Sequence, residues 1–170
     1  MKMTPKQVIE SQKYVLAAKR ACLLISLGIM CDQFNATDTQ LKNAILFYEN
    51  EMKNYHAWST EDVKKAYADL KAVAKTYNGA RLETDTRRVG FRPDVNQMIW
   101  NAEAVGFFTM LRLLRTAFGA TYKQLDFFCE RYDEFNKLYK EGDQISMLQL
   151  NHELYQITGR DILQNEVKKK

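Results

Sequence analysis

Phe118-Gly119-Ala120-Thr121-Tyr122-Lys123-Gln124-Leu125 (FGATYKQL) echoes an earlier stretch, Phe34 to Leu41, FNATDTQL. The two stand 84 residues apart (118 − 34), and five of the eight positions are identical: Phe34/Phe118, Ala36/Ala120, Thr37/Thr121, Gln40/Gln124 and Leu41/Leu125. Without a gap the register goes on to match Tyr48/Tyr132, Lys53/Lys137 and Tyr55/Tyr139, which makes 8 identities in 22 positions.

Part of this echo is helix-capping chemistry. Thr37-x-x-Gln40 and Thr121-x-x-Gln124 are capping boxes, in which the Thr oxygen accepts a backbone N–H and the Gln side chain reaches back. Capping explains Thr and Gln. It does not explain a Phe three residues before each cap, or tyrosines at matching depth. An internal duplication explains all of them, and such a period must be found before the fold is assigned. Extended outward, the same offset pairs Ala18/Ala102, Leu27/Leu111 and Leu70/Leu154. The fold read from this is all-α: a six-helix bundle of two related three-helix units sharing one core. The units are residues 1–79 and 94–170, joined by an arginine-rich linker loop at 80–93.

Composition agrees. The chain has 170 residues, 46% hydrophobic and 27% charged, with two prolines and seven glycines, as long helices require. The net charge of +4 permits an acidic or nucleic-acid partner and argues against a DNA mimic. Cys22, Cys31 and Cys129 form no CxxC pair, so they read as buried thiols in a reducing, cytoplasmic setting. Ala21–Cys31 is apolar but shorter than a bilayer span, and Asn101 and Glu103 interrupt Met98–Leu111. No membrane partner is expected.

In chain order, Thr4 caps a first helix with Pro5 at its first position, running to about Gln33. It turns from amphipathic to apolar all round at Ala21, which predicts burial on several sides. The second helix begins at Thr37 with a stripe of Leu41, Ala44, Ile45, Tyr48 and Met52. Ser59 caps the third, whose inner face reads Val63, Ala66, Tyr67, Leu70, Val73, Ala74 and Tyr77, with Asn78-Gly79 as its left-handed stop. Asp94 with Gln97 caps the fourth and most apolar helix, which Gly119 closes. The fifth runs from Thr121 to about Glu141, and the sixth from Asp143 to Thr158. In the sixth, Ile145, Leu148, Leu150, Leu154 and Ile157 are core candidates. A short strand is conceivable at Arg88–Phe91.

Catalytic signatures are missing. His56 and His152 are the two histidines, and Gln156 stands where HExxH needs its second ligand, so no metal or other cofactor is expected. Neither a phosphate loop, a dinucleotide fingerprint nor a nucleophile elbow occurs. Glu130, Asp133 and Glu134 read as a solvated face. Glu103, set among apolar residues, needs either solvent or a partner. Lys19, its counterpart at the 84-residue offset (103 − 19), is the candidate partner if the two long helices pack together. The best functional stretch is the loop Ala80 to Pro93, with Arg81, Arg87, Arg88 and Arg92, because guanidinium groups grip phosphates and carboxylates in two-pronged contacts. Phe91 beside Arg92 offers a stacking face, and Trp58 and Tyr122 are candidate aromatic anchors. The competing reading is that the arginines staple the linker to acidic helix faces.

The segment Thr116–Leu163, with TAFGATYKQLDFFCERYDEF, EGDQIS and ITGRDIL, resembles a family of small helical proteins encoded by bacteriophages and integrated elements of Gram-positive bacteria. Phe118, Gly119, Lys123, Leu125, Phe128, Gly142, Ser146, Gly159, Asp161 and Ile162 carry the resemblance, while Gln124 and Thr158 depart from it. The resemblance implies a phage-like origin and an accessory role. The expected function is therefore non-enzymatic: binding and modulating, by inhibition, a host protein or nucleoprotein complex such as a defence system. The alternatives are direct nucleic-acid binding, with the loop arginines, Lys13, Lys19, Arg20 and Lys168–Lys170 on one face, and a structural role in a virion or homo-oligomer.

Overall fold

Six helices make up the computed structural model, which describes residues 2–55, 57–82, 91–140 and 144–164. They are α1 (Pro5–Phe34), α2 (Asp38–Met52), α3 (Thr60–Val73), α4 (Pro93–Ala117), α5 (Tyr122–Lys140) and α6 (Gln144–Thr158). No strand occurs among the described residues. Arg88 and its next two neighbours, the body of the conceivable strand, lie outside them, as does His56.

Local chemistry sets most helix starts. Thr4 with Gln7, Thr37 with Gln40 and Ser59 with Asp62 form reciprocal capping boxes. Thr121 and Gln124 do the same: the Thr121 N–H donates to Gln124 Oε1 at 2.8 Å, and the Gln124 N–H to Thr121 Oγ1 at 3.2 Å. The fourth helix differs from expectation. It begins at Pro93, with Arg92 as an N-cap that makes no side-chain cap bond. Asp94 lies inside the first turn, where its carboxylate takes the Arg92 guanidinium at 3.0 Å and favours the helix dipole.

Two turns end the long helices alike. Asn35 has φ 47° and Gly119 φ 60°, both left-handed. In each case the next N–H reaches back over the last turn, Ala36 to the Met30 carbonyl (3.1 Å) and Ala120 to that of Leu114 (3.0 Å). The third helix stops earlier than Asn78-Gly79 predicts, at Val73, and Gly79 is not left-handed. The reason is tertiary. Tyr77 stacks on Tyr122, ring centroids 5.7 Å apart, its hydroxyl meets Cys129 Sγ at 3.3 Å, and Lys71 donates to its carbonyl. These contacts pull the chain out of helical register.

The core is built on α1 and α4. Ala21–Met30 of α1 is buried all round, as its pattern predicts, and so is most of Asn101–Leu114 of α4. Leu41, Ile45 and Tyr48 of α2, Leu70 of α3, Leu125, Phe128 and Tyr132 of α5 and Leu154 of α6 join this core. A second cluster holds Val15 and Ala18 of α1 with Val95, Ile99 and Ala102 of α4. N-terminal halves thus meet each other, so α1 and α4 run in the same direction. By length and composition α1 would cross a bilayer, but 67% of its apolar window is buried inside this fold. Tyr67, Val73 and Leu148, expected inside, are exposed, while Met147, Asn151 and Thr158 supply the inner face of α6 beside Leu154. The Ile145 side chain lies outside the described set.

The bundle centre is polar. Glu103 is buried and accepts a hydrogen bond from the Asn136 side chain. It does not reach solvent, and it does not pair with Lys19, whose ammonium lies 4.6 Å from the centre of the Trp58 ring. Cys22, Tyr48 and Tyr132 surround it, and burial pushes the Cys22 thiol up to about 12 and both phenols well above their usual range.

Candidate partner-binding groove

Of the described residues singled out in the sequence, Phe91 and Trp58 pack against the same small cluster, and Tyr122 packs against Tyr77. Arg87 and Arg88 lie outside the described residues. Arg81 is exposed beside Gly79, whose carbonyl accepts its N–H at 2.8 Å. Phe91 is half-buried, edge-on to Tyr14 with centroids 4.4 Å apart, and Arg92 is held by Asp94. With Met3, Gln7 and Glu10 these two border a cleft of about 290 Å³ at the N-terminal end of α1. Trp58 lies under Lys19, and its carbonyl accepts from the Asn101 side chain at 2.7 Å. Tyr122 stacks on Tyr77 in a different part of the fold, with the Arg115 guanidinium 4.7 Å from its ring centre. The three aromatics are packed into the structure rather than presented as free anchors.

A better-formed concavity lies between α1, α2 and the segment that follows α6. Gly159, with φ 71°, ends α6 and turns the chain back. Residues 160–164 then cross as a strap. Asn151 of α6, itself buried, pins it: its Oδ1 accepts the N–H groups of Ile162 (3.0 Å) and Leu163 (3.1 Å), and its Nδ2 donates to Asp161 (2.8 Å). Ile162 is buried into the core. Arg160 pairs with Glu49 of α2, and Gln164 Oε1 accepts from Arg20 of α1 at 2.7 Å.

The strap closes one wall of a groove of about 200 Å³. Its floor is mainly aliphatic, with Leu16 and Leu23 from α1, Ile45 and Met52 from α2, and Ile162, beside the buried Tyr48 of α2. Its rim carries Lys19, Arg20, Glu49, Arg160 and Asp161. Glu49 neutralises Arg160, and Asp161 is engaged by Asn151. Lys19 and Arg20 are neighbours with no carboxylate partner among the described residues. Lys19 faces an aromatic ring and Arg20 an uncharged amide. Burial, and then the Arg20 charge, lower the Lys19 pKa. The Lys19 carbonyl accepts the Tyr48 hydroxyl at 2.9 Å, which ties this stretch of α1 to α2.

Chemically the groove can hold an aliphatic side chain beside an anionic group. At about 200 Å³ it is smaller than the usual 300–1,000 Å³ ligand cavity. Among the described residues no group of three His, Cys, Asp or Glu side chains gathers as a metal site requires. The sequence signal for the groove was the Lys19-Arg20 pair, placed where α1 changes from amphipathic to wholly apolar. The strap carried no signal of its own, because residues 160–164 contain no periodic pattern. Comparison with protein-family models, with curated proteins and with solved structures finds no match to this chain.

Proposed function

We propose that this chain is a non-enzymatic accessory protein, of the kind phages and mobile elements carry, that binds a host macromolecular complex and inhibits it. The docking surface is the groove between α1, α2 and the strap. The observation that carries the reading is the pair of uncompensated cations, Lys19 and Arg20, on the rim of an aliphatic floor. Half-buried charge without a counter-charge is unfavourable in the free protein, and a complementary partner relieves it. Leu16, 39% exposed, extends the apolar surface out of the groove, and Ile9, 58% exposed, lies two turns further along α1.

The architecture proposed with it is two related three-helix units. Two relationships support this. The starts of α2 and α5 (Asp38, Tyr122) are separated by 84 residues (122 − 38). The paired backbone bonds at Ala36 and Ala120 fall at the same offset (120 − 36). Nucleic-acid binding through the loop is the weaker alternative, since Arg92 is already paired and Phe91 already stacked.

The test is capture from a bacterial lysate by the tagged protein, with and without nuclease, repeated with Leu16→Lys. The expected result is a stoichiometric protein partner that survives nuclease and is lost with Leu16→Lys. Recovery of nucleic acid with nuclease-sensitive partners overturns the reading, as does a partner indifferent to Leu16→Lys.

A further inference from the structure

Resting on that reading, we infer that the groove recognises a peptide segment of its partner carrying a carboxylate within a helical turn of an aliphatic side chain, the carboxylate meeting Lys19 and Arg20. Three features of the groove select this occupant.

The first is charge. Of the rim's three cations, Arg160 is paired with Glu49, and Lys19 and Arg20 have no carboxylate partner among the described residues; Asp161, the rim's other acid, accepts from Asn151. The rim therefore has a surplus of one positive charge, which one carboxylate balances. A nucleic-acid backbone would call for a longer basic track, because its affinity comes from neutralising many phosphates.

The second is the floor. Leu16, Leu23, Ile45, Met52 and Ile162 offer the cations' neighbour an aliphatic surface, and the aromatic lining residue, Tyr48, is itself buried. Single-stranded nucleic acid binds by stacking bases on aromatics, and here the Tyr48 ring is buried while Trp58 lies under the Lys19 ammonium. An aliphatic peptide side chain gains from desolvation on this floor.

The third is donor geometry. Arg20 uses one guanidinium nitrogen for the Gln164 amide, a neutral acceptor that a carboxylate displaces in favour of a stronger charge-assisted bond. Lys19, also on the rim, has its ammonium 4.6 Å from the centre of the Trp58 ring and adds a second positive charge there. The groove's about 200 Å³ takes one or two side chains, which suits a peptide anchor and not a complete small-molecule ligand.

The experiment is selection of a randomised 12-residue peptide display library on the wild-type protein, counter-selected on the Lys19→Gln/Arg20→Gln double variant, with Arg20→Gln alone as a second target. Circular dichroism checks that each variant is folded. The expected result is clones that bind the wild type and not the double variant, enriched in Asp or Glu within four positions of Leu, Ile or Val. Synthetic versions should bind the wild type about tenfold or more tightly than the double variant, as the loss of a charge-assisted contact implies. Replacing their acid by Gln should cost a similar factor. Clones with no acidic enrichment, or equal binding to both proteins, overturn the assignment. If Leu16→Lys abolishes capture of a cellular partner while the selected peptides show no acid signature, the groove remains the docking surface and the carboxylate assignment falls.

Discussion

The hydroxyls of Tyr48 and Tyr132, 84 residues apart in the chain (132 − 48), converge on one buried thiol, that of Cys22. The two tyrosines come from α2 and α5 and approach from either side of the paired long helices. Gly106 of α4 faces the same point. A methyl group there would lie 2.5 Å from the Tyr48 hydroxyl oxygen and 2.9 Å from Cys22 Sγ. The meeting therefore requires a residue without a side chain on the opposing helix.

Gly106→Ala should accordingly destabilise the fold by about 1–3 kcal/mol, the usual cost of overpacking a filled core. Tyr48→Phe removes the nearest atom, so the double variant Gly106→Ala/Tyr48→Phe should lose less than the two single losses added together. Urea unfolding of the four proteins measures the coupling. Strict additivity would mean that the glycine is there for another reason.

The two phenols should respond differently to losing their hydroxyls. Tyr48 donates to the Lys19 carbonyl, whereas the Tyr132 hydroxyl is buried without a hydrogen bond of good geometry among the described residues. Tyr48→Phe should cost about 1 kcal/mol, and Tyr132→Phe should be neutral or slightly stabilising, since it removes an unsatisfied buried group. Thermal melts of the two variants provide the comparison.

Alkali should weaken the fold before other stresses do. Burial raises the thiols of Cys22 and Cys129 to about 12 from 9.0. Above pH 9 the unfolded chain releases these protons and the folded chain keeps them, so stability falls as pH rises from 9 toward 12. At pH 10 the loss is about 1 kcal/mol for each thiol. Lys19 works in the opposite sense, because its lowered pKa lets the folded chain shed that proton first, but it is half-exposed and contributes less. Urea midpoints between pH 7.5 and 10.5 should therefore decline, and Cys22→Ala should flatten the decline even though it lowers stability at neutral pH.

The strap depends on one side chain. Asn151→Ala would leave the N–H groups of Ile162 and Leu163 without their acceptor, at about 1–3 kcal/mol for a buried, unmade bond. Amide hydrogen exchange at Ile162 and Leu163 should accelerate strongly while exchange in α1 and α4 stays slow. If all helices loosen together, the strap is part of the cooperative core and not a separate wall.

The parts of the fold legible in the sequence were those written within a few residues. Thr4, Thr37, Ser59 and Thr121 announce their helices because each cap is closed by a residue three positions on. Gly119 and Gly159 announce their stops because left-handed backbone favours glycine. The end of α3 was misread at Asn78-Gly79, since Tyr77 is claimed by Tyr122 and Cys129, far along the chain. The surroundings of the candidate aromatics were hidden for the same reason. Trp58, Phe91 and Tyr122 look like anchors until Lys19, Tyr14 and Tyr77 are found against them. The groove joins Leu16 to Ile162 and Gln164, and no local pattern spans that separation.

The strap also fixes when the groove can exist. Arg20 belongs to α1, and Gln164, its partner across 144 positions, follows α6. A nascent chain can bury α1 against α2 while still on the ribosome, but the wall made by Arg160 and Ile162 arrives only after α6 has been translated. The proposed docking groove is thus a late feature of synthesis: a chain interrupted before Arg160 has the floor supplied by α1 and α2 without this wall.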